Sequence, residues 1–227
     1  MNTLVIDIGG TNVKVWKTGE NDSKKFPSGK KLTPRRFMDK IHAMTAKVRF
    51  DRVSIGYPGE VRNGRLIAEP WNLGPGWLDF DWSSAFPCPM QIMNDACMQA
   101  LGSYSGDRML YLGLGTSIGT VFITDGTIVP LALGHLTFRE GKDFDHFLGR
   151  KGLKLYSKKA WRQRVFQAGE TLKAAFHADY VVFGGGNAKT LGTLPEGFLM
   201  GGNHNAYFGG LRMWEGAQEQ KATDGRR

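Results

Sequence analysis

The chain opens on an apolar run, Leu4-Val5-Ile6, carried through Asp7 to Ile8, and then alternates apolar and polar over residues 13–17. The run predicts a buried strand, and the alternation a second strand beside it. A polar turn is expected at residues 19–23. Leu32-Thr33-Pro34 predicts a helix start, with Thr33 as N-cap and Pro34 in the first helical position. Phe37, Ile41, Met44 and Val48 recur at helical spacing and predict the buried face of that helix. A strand over 53–57 ends at the turn signal Pro58-Gly59. Residues 72–82 read as a loop that Trp71, Trp77 and Trp82 wedge onto the core. A short strand over 90–93 leads into Asn94-Asp95 and a helix over 96–101. Strands over 109–114 and 121–124 flank a glycine-rich turn, and Asp125-Gly126 predicts a hairpin. A long helix is expected from 158 to about 177, with Trp161, Val165, Ala168, Leu172 and Phe176 on one face. A strand over 180–183 ends in Gly184-Gly185-Gly186, and a last helix is expected from 206 to about 214. Residues 218–227 form a polar tail expected to fray.

Strands and helices alternate in both halves, which predicts an α/β fold. Two strand–glycine turn–strand units, at 4–17 and 109–124, suggest two related lobes. The expected division is an N-terminal lobe over 1–104, a C-terminal lobe over 105–217 and the tail. A length of 227 residues with 41% hydrophobic content supports a packed core. No long uncharged apolar run predicts a membrane span, and no basic segment followed by an apolar core predicts secretion. Two cysteines, Cys88 and Cys97, cannot build a disulfide framework, so a reducing cytoplasm is expected. The formal charge of +9 favours anionic partners such as nucleotides, polyphosphate or a phosphorylated product. No nucleic-acid module is recognisable, and no DNA partner is expected.

The chemistry concentrates at strand ends. Asp7 stands just before Gly9-Gly10-Thr11, so a carboxylate and an amide-rich turn share one strand terminus. Glycine lets the backbone approach a phosphate closely, and its N–H groups then bind the anion. Asp7 can hold Mg²⁺ through water, since Mg²⁺ prefers oxygen ligands and retains its hydration. A second loop of this kind, Gly113-Leu114-Gly115-Thr116-Ser117-Ile118-Gly119-Thr120, also lies between strands. A third, Gly184-Gly185-Gly186-Asn187, follows a strand and suits close approach to a flat base or ribose. Asp95 at a strand end can act as general base toward a hydroxyl; the competing reading is an ordinary N-cap. Two phosphate loops, a metal carboxylate and a base together describe phosphoryl transfer.

The ordered set resembles the ROK family of sugar kinases within the actin-like ATPase superfamily, and most of all its polyphosphate glucokinase branch. The matching segments are Ile6-Asp7-Ile8-Gly9-Gly10-Thr11 with Lys14, Gly56-Tyr57-Pro58-Gly59-Glu60-Val61, Asn94-Asp95-Ala96, Leu114 through Gly119, Leu133-Gly134-His135-Leu136, Phe183 through Gly186, and Asn205-Ala206 through Gly209-Gly210. The resemblance implies two actin-like (ribonuclease H-like) lobes around a central cleft. It implies that Asp7 organises Mg²⁺, that Gly9, Gly10, Thr11 and Lys14 form the first donor phosphate site, and that Gly115, Thr116, Ser117 and Gly119 form the second. Gly184, Gly185 and Gly186 would bound the adenosine pocket. Pro58, Gly59, Asn72, Asn94, Asp95, His135 and Asp145 would line the sugar site, with Asp95 as catalytic base. The implied reaction moves a phosphoryl group from ATP or polyphosphate to a hexose hydroxyl such as that of glucose. Homodimerisation is implied by resemblance alone.

Three features depart from the family. Its Glu-x-Gly-His segment here reads Ala132-Leu133-Gly134-His135, so one sugar-gripping carboxylate is missing. Loss of a hydrogen-bonded charge at a sugar hydroxyl costs roughly 1.5–3 kcal/mol. Asp145 corresponds to a family glutamate and is one methylene shorter. Ser117 stands where glycine is usual. The zinc-binding cysteine cluster of many members is absent, so His135 reads as a sugar contact or core hydrogen bonder. A basic run at the start of the long helix, Lys151, Lys154, Lys158, Lys159, Arg162 and Arg164, reads either as a polyphosphate track or as a solvated face. The alternative to a kinase is a weak or inactive sugar or nucleotide sensor on the same fold.

Overall fold

The computed structural model describes residues 1–20, 22–202 and 204–215. The tail expected at 218–227 lies outside them. The elements in chain order are β1 (Thr3–Ile8), β2 (Asn12–Lys17), β3 (Lys24–Pro27), α1 (Pro34–Thr45), β4 (Arg52–Tyr57), a small hairpin β5 (Val61–Arg62) and β6 (Arg65–Leu66), β7 (Met90–Asn94) and α2 (Asp95–Ser103). There follow β8 (Met109–Leu114), β9 (Ile118–Thr124), β10 (Thr127–Leu131), β11 (Thr137–Arg139), β12 (Lys142–Asp143), α3 (Phe144–Leu148), α4 (Arg150–Leu155), α5 (Lys158–Ala175), β13 (Tyr180–Gly184), β14 (Phe198–Met200) and α6 (Asn205–Arg212).

Two five-stranded sheets carry the fold, in the orders β3-β2-β1-β4-β7 and β10-β9-β8-β13-β14. The topologies are the same. In each, an antiparallel three-stranded meander is extended by two parallel strands reached through crossovers. The repeat suggested by 4–17 and 109–124 is thus a repeat of the whole sheet.

The chain divides into one unit of residues 1–98 with 206–227 and a second of residues 99–205. This differs from the expected boundary at 104/105 with the C-terminal segment in the second lobe. The reason is the packing of α6 on the first sheet. The Gly210 position has no room for a Cβ because Val5 of β1 fills it, and buried Ser54 of β4 donates to Gly210 O at 2.5 Å. Trp214 Nε1 in turn donates to Ser54 Oγ at 2.8 Å.

In the first unit, Leu4, Ile6 and Ile8 of β1 join Val13, Val15, Phe26, Phe37, Ile41 and Trp77 in one core. Thr33 accepts from the Arg36 amide and Pro34 opens α1, as the residue types predict. The helix ends at Thr45, so Val48 lies beyond it, and Met38 supplies buried surface instead. Strand β3 was not expected, because only Phe26 of its four residues is buried and two-residue periodicity has nothing to repeat. In the second unit, Trp161, Val165, Ala168 and Leu172 of α5 pack on β8 and β13 residues. Phe176 lies just past the helix and caps it through its own N–H. Strand β9 starts at Ile118, three residues before the apolar alternation suggests, because Ile118 pairs with Leu114 across the glycine loop. Edge strand β10 completes the hairpin that Asp125-Gly126 predicts, with Thr127 opposite Thr124, and is mostly exposed. The basic run is split between helices: Lys151 and Lys154 lie on α4, while Arg164 on α5 stacks 3.9 Å from the Tyr156 ring. Both cysteines are free, and no helix among the described residues is long and apolar enough to cross a membrane.

Candidate active site

In the first unit, β1, β4 and β7 run parallel as neighbours, with Asp7 opposite Gly56 and Tyr57 opposite Asn94. Their carboxyl ends therefore bring Asp7, Pro58-Gly59 and Asn94-Asp95 to one sheet edge, where open α/β sheets bind ligands. Asp7 is 3% exposed. Lys14 pairs with it across β1 and β2, placing Nζ 4.0 Å from Oδ2. The turn between these strands is closed by Gly9 N–H donating to Asn12 O at 3.1 Å. Ser28 then pins the turn from behind. Its amide donates to Thr11 O at 3.1 Å and its hydroxyl to Gly9 O at 2.7 Å. With these carbonyls held inward, the Gly10 amide donates to no group among the described residues and is available to an anion.

Asn94 caps α2: its Oδ1 accepts from Ala96 N at 3.0 Å and from Cys97 N at 3.2 Å. The N-cap role thus falls on Asn94, and Asp95 becomes the first helical residue. Gly56 lets that turn seat tightly on β4, since a Cβ there would lie 3.3 Å from Asp95 Cα. Asp95 Oδ1 accepts from Ala96 N at 2.8 Å, yet the carboxyl is pushed up to about 8. Burial is the larger cause and the like charge of Asp7 the second. A carboxylate tuned close to neutrality is suited to accept a proton from a hydroxyl. The neighbouring Cys97 thiol is pushed up to about 12 by burial and by Asp95, which makes it inert.

The adjoining loops are tied to the same edge. Asn94 Nδ2 donates to Gly59 O at 3.0 Å, and Tyr57 OH to Ala68 O at 3.0 Å. Glu69 Oε1 accepts from Gly76 N at 3.2 Å and Leu78 N at 3.0 Å, fixing the tryptophan loop. Trp77 is fully buried against Phe37, Tyr57 and Trp82, whereas Trp71 is 59% exposed and wedges nothing. Asn72 presents a buried Oδ1 that finds no hydrogen-bond partner among the described residues. Such an acceptor fits a ligand hydroxyl or a water. Sequence reasoning missed Ser28 and Glu69; neither sits in a recognisable motif, and both act through backbone groups of a neighbouring loop segment.

The second unit assembles the other expected residues. Gly184 stands opposite Gly113 on parallel β13 and β8, so the Gly115–Gly119 loop and the triple glycine emerge at one sheet end. Gly184 packs on the Tyr111 ring with no room for a side chain. Gly185 has φ +79° and a Cβ there would meet Leu114 O at 2.6 Å, so both positions require glycine. The loop carbonyls are again tied back. Gly115 O accepts from Arg150 N and from Asn187 Nδ2, each at 3.0 Å, and Thr116 O from Arg150 N at 3.2 Å. The Thr116 and Ser117 amides donate to nothing among the described residues. His135 is exposed at the end of the short turn Leu133–His135. Asp145 Oδ1 accepts from Ile118 N at 2.6 Å.

Asp7 and Asp95 offer oxygen donors only, and no group of three His, Cys, Asp or Glu side chains among the described residues could enclose a metal. That donor set fits Mg²⁺, which keeps waters and shares phosphate oxygens, and does not fit a cation needing a full protein cage.

No family model and no curated relative matches the sequence. Solved structures do. The chain is similar to the inorganic polyphosphate/ATP-glucomannokinase from Arthrobacter sp. strain KM at 22% identity, with a TM-score of 0.78 over 93% of this chain and 97% of that one. It is similar to a ROK family protein from Streptococcus pneumoniae TIGR4 in complex with sucrose, at 15% identity and a TM-score of 0.75 over 97% and 100% of the chains. A ROK family glucokinase from Streptomyces griseus, in complex with glucose and AMPPNP, gives 16% identity and a TM-score of 0.73 over 94% and 99%. The chain has the two-sheet actin-like fold of the ROK sugar kinases.

Proposed function

We propose that this chain is a sugar kinase that transfers a phosphoryl group from ATP or inorganic polyphosphate to the primary hydroxyl of a hexose such as glucose. The observation that carries the reading is the meeting of Asp7, the Gly9–Asn12 turn and Asp95 at the carboxyl ends of three adjacent parallel strands. Asp95 takes the proton from the attacking hydroxyl. Asp7 would hold Mg²⁺ through water, and the ion would neutralise charge on the donor phosphates. Gly9, Gly10, Thr11 and Lys14 form a donor phosphate site in the first unit. Gly115, Thr116, Ser117 and Gly119 form a donor phosphate site in the second unit. Gly184, Gly185 and Gly186 bound the adenosine. Pro58, Gly59, Asn72, Asn94 and His135 contact the sugar, with Asn94 also holding the first turn of α2 so that Asp95 is correctly aimed.

The polyphosphate arm draws support from charge. Residues 24–49 carry nine Lys and Arg against one Asp. None of the nine forms an ion pair with a described residue. Lys25 also continues the cross-strand row from Asp7 through Lys14. Ala132 favours the rival reading of a sensor that binds sugar without turning it over, because its methyl group grips no hydroxyl. The deciding experiment is phosphoryl transfer to a hexose panel with Mg²⁺, using ATP and polyphosphate in parallel and Asp95→Asn as blank. Sugar-dependent donor consumption is expected. Sugar binding by calorimetry without turnover in any pair would replace the kinase with the sensor.

A further inference from the structure

We propose that Asp145 is a positioning residue for the second glycine loop rather than a ligand of the sugar. The inference rests on the kinase reading above, which makes that loop a donor phosphate site. Asp145 is the second residue of α3, and its Oδ1 accepts from the amide of Ile118 at 2.6 Å. Ile118 immediately follows Thr116 and Ser117, whose amides donate to nothing among the described residues. A charged acceptor makes this a short, strong bond. The start of α4, one residue past the end of α3, grips the same loop. Gly149 N–H donates to Asp145 O at 3.0 Å, and the next amide, Arg150, donates to the carbonyls of Gly115 and Thr116. A Cβ on Gly149 would lie 2.9 Å from Thr116 O, so the helix end meets the loop with bare backbone. The corner between α3 and α4 therefore holds the loop at its exit through a side chain and at its entry through the main chain.

The same carboxylate touches the His135 turn. A Cβ on Gly134 would stand 3.0 Å from Asp145 Oδ1 and 3.2 Å from Ile118 Cγ1, so the carboxylate is packed against the bare Cα of Gly134. The carboxylate oxygen nearest the turn is committed to a backbone amide. Asp145 thus sits between the residue expected to touch sugar and the loop expected to touch donor. Its effect on catalysis passes through the loop.

The test uses the full chain carrying Asp145→Ala or Asp145→Asn. Asparagine keeps an acceptor oxygen for Ile118 N but removes the charge a sugar ligand would need. Binding of AMPPNP, tripolyphosphate and glucose is measured by calorimetry, and exchange of the Ile118 amide by NMR. Asp145→Ala is expected to weaken AMPPNP and tripolyphosphate at least fivefold, leave glucose within twofold and speed Ile118 exchange, while Asp145→Asn restores most of the loss. Loss of glucose binding in both variants with anion binding intact overturns the inference. Equal loss of anion binding in Asp145→Asn and Asp145→Ala overturns it too, as does failure of the wild-type chain to bind either anion. Anion binding by the wild-type chain without phosphoryl transfer would sink the kinase reading and leave this one standing if the Asn rescue holds.

Discussion

The two glycine loops occupy equivalent places in two sheets of the same topology, yet only one of them follows a strand that carries an acid. In both loops the carbonyls are tied back by neighbouring groups, while amides are left that donate to nothing among the described residues. In the first unit Ser28 does this from the neighbouring edge strand; in the second, Arg150 and Asn187 do it from helix and loop. Where the first strand carries Asp7 ahead of its loop, the second carries Gly113. Under the proposed function, the duplicated scaffold would supply anion binding twice, with the catalytic chemistry added to one copy. In the first unit burial raises the Asp95 carboxyl, and the like charge of Asp7 raises it further.

The sharpest way to break this asymmetry is Asp95→Asn. Its kcat is expected to fall by about 10²–10⁴-fold, the usual worth of a general base, with donor KM within about twofold. Near-wild-type turnover of the purified variant would remove Asp95 from the mechanism. The pH profile tests the same coupling. The reactive form is the carboxylate and the group titrates at about 8. So kcat/KM of the wild type should climb roughly tenfold per unit below that pH and level off above it. Asp7→Asn, which removes the like charge, should move the limb to lower pH.

Stability should run the opposite way. Folded Asp95 keeps its proton up to about pH 8, while an unfolded aspartate releases it near 3.8. Unfolding therefore releases a proton between these values, and stability falls as pH rises through that window. Asp95→Asn should melt above wild type at pH 8, by about 2–4 °C for each kcal/mol of relieved strain in a chain of this size. The gap should close as pH falls toward 4. Equal melting at both pH values would show that Asp95 is not buried at Asp7's expense.

Changes on the second sheet should be smaller and fall on the donor alone. Gly185→Ala places a side chain at φ +79° against Leu114 O, a cost of about 1–3 kcal/mol. It should raise KM for ATP more than for polyphosphate, since only ATP brings an adenosine to that loop; equal effects would argue that the triple glycine is not an adenosine boundary. The smallest effect is expected at Ser28→Ala. Loss of one bond to Gly9 O is worth about 0.5–1.5 kcal/mol, or roughly two- to tenfold in donor KM. An unchanged KM would mean the first turn holds its shape without its strut.

Much of this was legible along the chain because the signals were local. Apolar runs marked β1, β4 and β8, Thr33-Pro34 marked the start of α1, and glycine clusters at strand ends marked both loops. Helix and strand periods and the steric freedom of glycine are properties of a few consecutive residues, so the sequence by itself determined the α/β alternation and the candidate phosphate turns. What it left open depends on groups far apart. Asp95 reads in sequence as a cap or a base; the structure gives the cap to Asn94 and sets Asp95 where Asp7 adds to its raised carboxyl. The return of α6 to the first sheet, through Gly210, Val5 and Ser54, joins residues more than 150 positions apart. The grip of Asp145 on Ile118 crosses 27 positions. Desolvation and charge coupling are functions of three-dimensional neighbours, so the acidity of Asp95, the boundary between the units and the support behind each loop were decided only by the tertiary structure.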